Sequence, residues 1–203
     1  MKLFTVGYEG TDIQDFTASL KEQGVRCVAD VRKNPVSRKK GFSKRLLAEA
    51  LLKVGIEYVH LPGLGVPTEW RKLAKEELIT RKKMFSDYVK KILPKQTDEI
   101  DLLRKLMRKK GLALLCYEAD AHDCHRSYVV NALVKAEPKK INIVNLEVHP
   151  ENQQLRLFKK GAPNGNAHRS SKAGESSHSR KKAGSPARAA KRTTGRKTSG
   201  RTA

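Results

Sequence analysis

Five short apolar segments predict five β-strands in the first 150 residues. They span residues 3–6, 25–31, 56–61, 112–116 and 141–148 and are rich in Val, Ile and Leu. Their apolar positions mostly follow one another without alternation, which is typical of strands that are buried on both faces. The pattern therefore indicates a sheet with a covering layer on each side.

The segments between these strands carry apolar residues at helical spacing. Helices are predicted for residues 12–23, for the segment after Ser43, and for residues 70–93, 97–110 and 124–136. Ser43 is a favoured N-cap residue, and Pro94 ends the third segment, a surface helix rich in Lys, Arg and Glu. Strands that alternate with helices predict a three-layer α/β domain with a mostly parallel sheet of about five strands.

The charge of the chain is concentrated at its C-terminal end. The 203 residues include 43 Lys+Arg and 21 Asp+Glu, for a formal net charge of +22. Residues 159–203 hold 13 of the basic residues, a single acid and no Leu, Ile, Val, Met, Phe, Tyr or Trp. Such a segment buries too little apolar surface to offset the entropy of ordering it. We therefore predict a folded domain over residues 1–155 and a disordered basic tail over residues 156–203.

A basic tail of this kind predicts nucleic acid as a partner. Binding to phosphates is driven by counterion release, is independent of base sequence and weakens with salt. A solubility role, an acidic membrane surface, and RNA instead of DNA remain alternatives. The tail cations expected to contact nucleic acid are Lys181, Lys182, Arg188, Lys191, Arg192, Arg196 and Lys197.

The sequence favours a cytoplasmic protein, with association with the nucleoid as a further option. It has no stretch of about 20 apolar residues, as a membrane span requires. Its first ten residues do not have the pattern of a signal peptide. The three cysteines Cys27, Cys116 and Cys124 form no even disulfide framework, which suits a reducing compartment. No membrane partner is expected.

Most of the side chains capable of chemistry follow the predicted strands. Ligands bind outside the carboxyl ends of parallel strands, so these residues are expected at one edge of the sheet. The candidates for catalysis are Cys124, His125, Glu118, Glu9 and His60. The candidates for ligand binding are Tyr8, Asp30, Arg32, Ser37, Arg38, Cys116 and Arg126. Arg126, Arg32 and Arg38 suit a phosphate or another anion, while Arg32 could equally form an ion pair with Asp30 or Glu118.

The two cysteines of this edge have opposing interpretations. Cys124 begins a predicted helix beside His125 and Arg126, and such surroundings stabilise a thiolate nucleophile. Alternatively, Cys124 packs as a small buried residue. Cys116 ends a wholly apolar strand, which favours burial.

No metal site is predicted from the cysteine and histidine spacing. Cys116, His122, Cys124 and His125 form the pattern C-x5-H-x-C-H, which matches no ordinary zinc motif. Neighbouring side chains rarely point at one ion. The sequence does not identify a cofactor.

Five blocks of this sequence resemble the DUF488 family of uncharacterised proteins. They are T-V-G-Y-E-G at 5–10, D-V-R-K-N-P-V-S-R at 30–38, G-F at 41–42, Y-V-H-L-P-G-L-G at 58–65 and L-L-C-Y-E-A-D-A-H-D-C-H-R at 114–126. The resemblance spans about residues 1–150 and implies a fold and site positions, but no reaction. The implied positions are Tyr8, Glu9, Asp30, Arg32, Pro35, Ser37, Phe42, His60, Pro62, Cys116, Glu118, Cys124, His125 and Arg126.

A weaker resemblance to rhodanese-like sulfurtransferases comes from the D-V-R strand end and the later strand that ends in cysteine. Those enzymes wrap a Gly/Arg-rich loop around the cysteine, whereas residues 117–123 here are acidic.

Three hypotheses for the function follow from the sequence. The domain binds a phosphate-containing ligand and its tail tethers it to nucleic acid; or it is a Cys-dependent transferase or redox enzyme; or it is a non-catalytic adaptor.

Overall fold

The computed structural model describes residues 1–109, 111–137 and 139–148. Within them, five strands form one sheet in the order β3-β2-β4-β1-β5, and every neighbouring pair is parallel. The strands are β1 (Lys2–Gly7), β2 (Cys27–Asp30), β3 (Glu57–His60), β4 (Leu112–Cys116) and β5 (Asn142–Leu146). The predicted five-stranded α/β fold is confirmed.

Six α-helices of the described residues cover the two faces of the sheet. They are α1 (Ile13–Glu22), α2 (Lys44–Lys53), α3 (Thr68–Lys75), α4 (Arg81–Asp87), α5 (Thr97–Arg108) and α6 (His125–Ala136). On one face, Phe16 of α1 and Leu47 of α2 pack on alternate residues of the strands such as Phe4. On the other face, residues of α4, α5 and α6 pack on Leu3 and its neighbours. This is the three-layer arrangement that the sequence predicts.

The single surface helix predicted over residues 70–93 is wrong. Helices α3 and α4 are separated by a turn in which Glu77 has a positive φ of 59°, and Thr80 caps α4 by accepting a hydrogen bond from the Lys83 amide. A π-helical turn, Tyr88–Ile92, then follows α4. This segment is also not confined to the surface, because Phe85 and Tyr88 belong to the buried core. Lys, Arg and Glu dominate its composition and mask these few buried positions.

Ser43 stands at the N-cap position of α2, as the sequence predicts, but its hydroxyl does not cap the helix. Instead it donates to the carbonyl oxygen of Ser37 and accepts from the Ser37 amide, at 3.1 and 3.2 Å. These bonds close the loop between β2 and α2, which is the segment that borders the site.

The predicted disordered tail and its seven candidate cations lie outside the described residues. Across the part of the chain that the structure does describe, none of the helices combines the length and the apolar character needed to cross a bilayer.

Candidate functional site

A cleft lies at the carboxyl ends of β1, β2 and β4, the three central strands of the sheet. Its volume is about 280 Å³. In a sheet of this order the chain crosses over β4 when it passes from β1 to β2, and ligands of parallel sheets bind at such positions. The lining residues are Tyr8, Arg32, Lys33, Asn34, Val36, Ser37, Arg38, Val66, Arg71, Cys116, Tyr117, Glu118 and His125.

Arg32 is held in place by a buried ion pair with Asp30. Its Nε and Nη2 donate to the two carboxylate oxygens of Asp30 at 2.8 and 2.6 Å, and Nη1 donates to the Tyr8 hydroxyl and to the Phe42 carbonyl oxygen. Burial disfavours the guanidinium charge, but the hydrogen bonds and charge of Asp30 outweigh it and raise the pKa of Arg32. Asp30 is fully buried and also accepts from the Tyr58 hydroxyl at 2.7 Å. Asp30 therefore positions Arg32, while Arg32 itself borders the cleft.

The basic loop after β2 folds back over the end of β1. The rings of Tyr8 and Phe42 stack with centroids 4.4 Å apart, and Lys39 donates from Nζ to the Tyr8 carbonyl oxygen at 3.1 Å. Ser37 accepts from the Lys39 amide through its hydroxyl oxygen, which stabilises the turn. Arg38 is exposed and borders the cleft without a hydrogen bond or ion pair to any other described residue.

Four groups with metal-binding or catalytic potential converge at and directly behind the floor of the cleft. The thiols of Cys116 and Cys124 donate to the same carboxylate oxygen of Glu118, at 2.9 and 3.1 Å. The Nδ1 of His125 lies 3.5 Å from the Cys116 sulfur and 3.8 Å from the Cys124 sulfur. One atom from each of these four residues lies within 4.8 Å of the others. The structure thus brings together four of the candidates, from the end of β4, the loop that follows it and the start of α6.

The pKa shifts within this cluster have opposite signs. Burial, more than any other cause, raises the pKa of Cys124 well above its ordinary range. Burial also disfavours the ionised form of Glu118, but hydrogen bonds from the two thiols and from a backbone amide outweigh it, so the pKa of Glu118 is lowered. For His125, burial is outweighed by Cys124, by the Val31 carbonyl and by Glu118, and its pKa is raised. These shifts favour an ionised Glu118 beside a protonated Cys124 thiol.

Arg126 lies behind the cluster and is fully buried. Its amide donates to the Cys124 sulfur at 3.5 Å, and its Nη2 donates to the Glu118 carbonyl oxygen at 2.6 Å. Its Nε and Nη1 have no hydrogen-bond partner among the described residues, and none of the ion pairs there involves Arg126. Arg126 does not border the cleft, so it supports the cluster from behind.

Two candidate catalytic residues lie apart from the cluster. His60, at the end of β3, places Nε2 3.0 Å from the Arg32 carbonyl oxygen and is not among the residues that line the cleft. Glu9 accepts from the Ala119 amide at 3.1 Å and borders a different cavity with His122. Both residues thus contact loops of the site and do not reach its floor.

Several residues of the site do not stand out in the sequence. Arg71 and Lys33 line the cleft, and Tyr58 completes the Asp30 network. Tyr88 is fully buried, and its ring meets the His125 ring edge-on with centroids 6.0 Å apart. A second cavity of about 230 Å³ shares Arg71, Glu118 and His125 with the cleft. A Lys/Arg-rich helical segment carries no local signal that separates Arg71 from its neighbours.

Comparison with known proteins identifies the family. The model of a family described as a domain of unknown function, DUF488, matches residues 12–133, more than half of the chain. The chain belongs to the DUF488 family. No curated protein and no solved structure matches it. The matched DUF488 span includes the Asp30–Arg32 pair and the whole cluster of Cys116, Glu118, Cys124 and His125, whereas Tyr8 and Glu9 precede it.

Proposed function

We propose that the cleft binds a small phosphate-containing or other anionic ligand, and that the basic tail holds the protein on nucleic acid. One observation carries the first part. Lys33, Arg38 and Arg71 line the cleft, and none of them forms an ion pair with another described residue. Among the residues that line the cleft, Glu118 alone has a carboxylate. A concave surface with unpaired cations attracts anions and binds oxyanions by charge-assisted hydrogen bonds.

The fixed position of Arg32 supports the same ligand class. Asp30, Tyr8 and the Phe42 carbonyl occupy four of its five N–H donors, which leaves one N–H of Nη2 for a further acceptor. Because Arg32 is already ordered, a ligand that bonds to it loses little side-chain entropy on binding. Tyr117 lines the cleft and is 46% exposed, so its ring offers a stacking surface for a base. A nucleotide offers a phosphate to the free N–H of Arg32 and a base to the ring of Tyr117.

A calorimetric titration of the full chain tests the cleft. A nucleoside monophosphate and inorganic phosphate serve as probes of binding to wild type and to the double variant Arg38→Ala/Arg71→Ala. We expect saturable binding that weakens about 10-fold or more in the variant, since each charge-assisted hydrogen bond contributes about 1.5–3 kcal/mol. Arg45→Ala is the matched control, because Arg45 is exposed and paired with Glu49 on α2. Equal binding by all three proteins, or none by wild type, would contradict the proposal.

The tail proposal rests on 13 Lys and Arg against one acid in residues 159–203. Replacing Lys181, Lys182, Arg188, Lys191, Arg192, Arg196 and Lys197 by Gln in the full chain removes seven of these charges. The slope of log binding constant against log salt for duplex DNA should then become shallower by up to about 6. In a control chain, each Lys of this set is replaced by Arg and each Arg by Lys. The charge is then unchanged, and the slope should be kept. Unchanged salt dependence in the Gln variant would exclude the tail as the contact.

A Cys-dependent reaction is the second candidate, and the position of Cys116 favours it. Cys116 borders the cleft with its sulfur 3.5 Å from Nδ1 of His125, as a thiol activated by a base requires. Cys124, the other candidate, does not border the cleft, and its raised pKa disfavours a free thiolate. Alkylation of the full chain at neutral pH, followed by mass spectrometry, distinguishes them. Rapid modification of Cys116 alone supports this function, and no modification of Cys116 rejects it.

A further inference from the structure

We propose that Cys116, Glu118, Cys124 and His125 bind one divalent thiophilic metal ion, Zn²⁺ in the first place, at the floor of the cleft. This inference does not depend on the proposed anion binding. The sequence predicts no metal site from Cys116, His122, Cys124 and His125, because their spacing is unusual and neighbouring side chains rarely point at one ion. In the structure His122 is exposed and lies outside the cluster, and Glu118 supplies the fourth ligand atom.

The spacing of the ligand atoms fits a tetrahedral ion. Metal–ligand bonds of about 2.0–2.3 Å place the ligand atoms of a tetrahedron roughly 3.3–3.8 Å apart. The Nδ1 of His125 lies 3.5 and 3.8 Å from the two sulfurs. The sulfurs lie 2.9 and 3.1 Å from the Glu118 oxygen to which their thiols donate. These two distances are shorter than a tetrahedral ion requires, so binding moves the Glu118 carboxylate outward.

The hydrogen bonds around the cluster orient its atoms for a metal. The Nε2 of His125 lies 2.9 Å from the Val31 carbonyl oxygen. A carbonyl only accepts, so Nε2 carries the proton and Nδ1 is the nitrogen directed at the two sulfurs. Metal-binding histidines make this kind of outer contact, which fixes the ring and the tautomer. The Arg126 amide makes a similar contact with the Cys124 sulfur.

Charge balance also favours an ion at this position. A divalent ion held by two thiolates, one carboxylate and a neutral imidazole forms a centre with a net charge of −1. The guanidinium of Arg126 is buried beside this centre and donates to the Glu118 carbonyl oxygen at 2.6 Å. The bound centre therefore leaves no uncompensated charge in the interior.

The cleft provides a route for the ion. Cys116, Glu118 and His125 line it, and Glu118 and His125 also line the adjoining cavity beside Arg71. Cys124 closes the site from behind, at the start of α6. The two protons that leave the thiols can reach solvent by the same opening.

Metal titration of the reduced, chelator-treated full chain tests this site. With Zn²⁺ and a competing chromogenic chelator, we expect one tightly bound ion per chain and release of about two protons per ion at neutral pH. With Co²⁺ we expect a thiolate-to-cobalt charge-transfer band and the intense visible bands of tetrahedral cobalt. Absence of stoichiometric binding, or cobalt spectra without thiolate bands, would overturn the proposal.

Three variants assign the ion to the cluster. Cys116→Ser and Cys124→Ser should each lower Zn²⁺ affinity at least about 100-fold, since loss of an outer-sphere contact alone costs 10–100-fold. Cys27→Ser is the matched control, because Cys27 is a buried thiol at the opposite end of β2, and it should keep full affinity. Glu118→Gln leaves both thiols in place, so it should keep the thiolate band but bind Zn²⁺ more weakly. This variant tests the site even if the serine variants misfold. Equal affinity of the Cys116, Cys124 and Glu118 variants and wild type would place the ion elsewhere.

Discussion

The Nε2 of His125 lies 2.9 Å from the carbonyl oxygen of Val31. This contact joins the first residue of α6 to the residue that follows β2, so the cluster from β4 and α6 and the cationic loop after β2 share one rigid connection. Arg32, the next residue, is locked by Asp30. The floor and the cationic wall of the cleft are thus coupled through two consecutive residues.

Asp30→Asn should destabilise the fold strongly. It leaves the Arg32 guanidinium buried without its carboxylate, and breaking a buried pair on one side costs about 3–5 kcal/mol. Urea unfolding measures this loss. The double variant Asp30→Leu/Arg32→Met removes both charges and should lose less than Asp30→Asn. Asp87→Asn, which breaks the pairs of Asp87 with the exposed Lys83 and Lys91, serves as the control and should change little. A loss from Asp30→Asn no larger than the control's would show that the pair does not hold the loop.

Tyr58→Phe should cost about 1.5–3 kcal/mol, because the hydroxyl donates to a charged, buried carboxylate. Burial above all, together with the charge and hydrogen bond of Asp30, raises the pKa of Tyr58 above its ordinary value. The folded chain therefore keeps this proton longer than the unfolded chain. Its contribution to stability is complete below about pH 10 and declines at higher pH. Unfolding free energies measured from pH 8 to pH 11 should fall less in Tyr58→Phe than in wild type. An equal fall in the two proteins would refute the raised pKa of Tyr58.

Cys27, the cysteine outside the cluster, should react slowly with alkylating reagents in the folded chain. Burial chiefly raises its pKa from 9.0 to about 11; Glu57 adds to the shift and Lys109 opposes it. At a given pH below 9 the thiolate fraction is then lowered about 100-fold, and the alkylation rate falls with it. The folded chain keeps this proton, so the stability that Cys27 contributes is present below pH 9 and is lost towards pH 11. Alkylation of native Cys27 at the rate seen in urea would disprove the shift.

Gly7→Ala should disturb the loop after β4 from the end of β1, where Gly7 pairs with Cys116. A Cβ at Gly7 would overlap the backbone carbonyl of Glu118, and backbone cannot move aside as a side chain can. We expect a loss of about 1–3 kcal/mol and weaker ligand binding as the loop shifts. Gly63→Ala is a useful comparison, because its Cβ meets the ends of the Gln96 and Glu99 side chains. If the two variants behave alike, backbone contact at Gly7 does not shape the loop.

The sequence predicts the fold well because buried strands produce a local pattern, a continuous run of apolar residues. The five apolar runs correspond to the five strands, and continuous apolar character indicates a sheet covered on both sides. The prediction fails over residues 70–93, where Thr80 starts a new helix inside a long charged segment. Helical spacing of a few buried residues is difficult to recognise when charged neighbours dominate.

The site is predicted only as an edge of the sheet. Strand ends locate Asp30, Cys116 and Glu118 correctly along that edge, but spacing along the chain does not reveal which side chains meet. The loop after β4 turns back so that Cys124 donates to Glu118, and this arrangement depends on tertiary contacts such as Tyr8 and Glu9 amides donating to the Tyr117 carbonyl. Such contacts join positions more than 100 residues apart, beyond any local pattern.

A titration of the isotopically labelled full chain with a nucleoside monophosphate, followed residue by residue by NMR, tests the proposed cleft most directly. We expect saturable shifts centred on Lys33, Arg38, Arg71 and Tyr117, with the amides of α2 near Arg45 unchanged. Shifts confined to residues 156–203, or no saturable shifts at all, would contradict it.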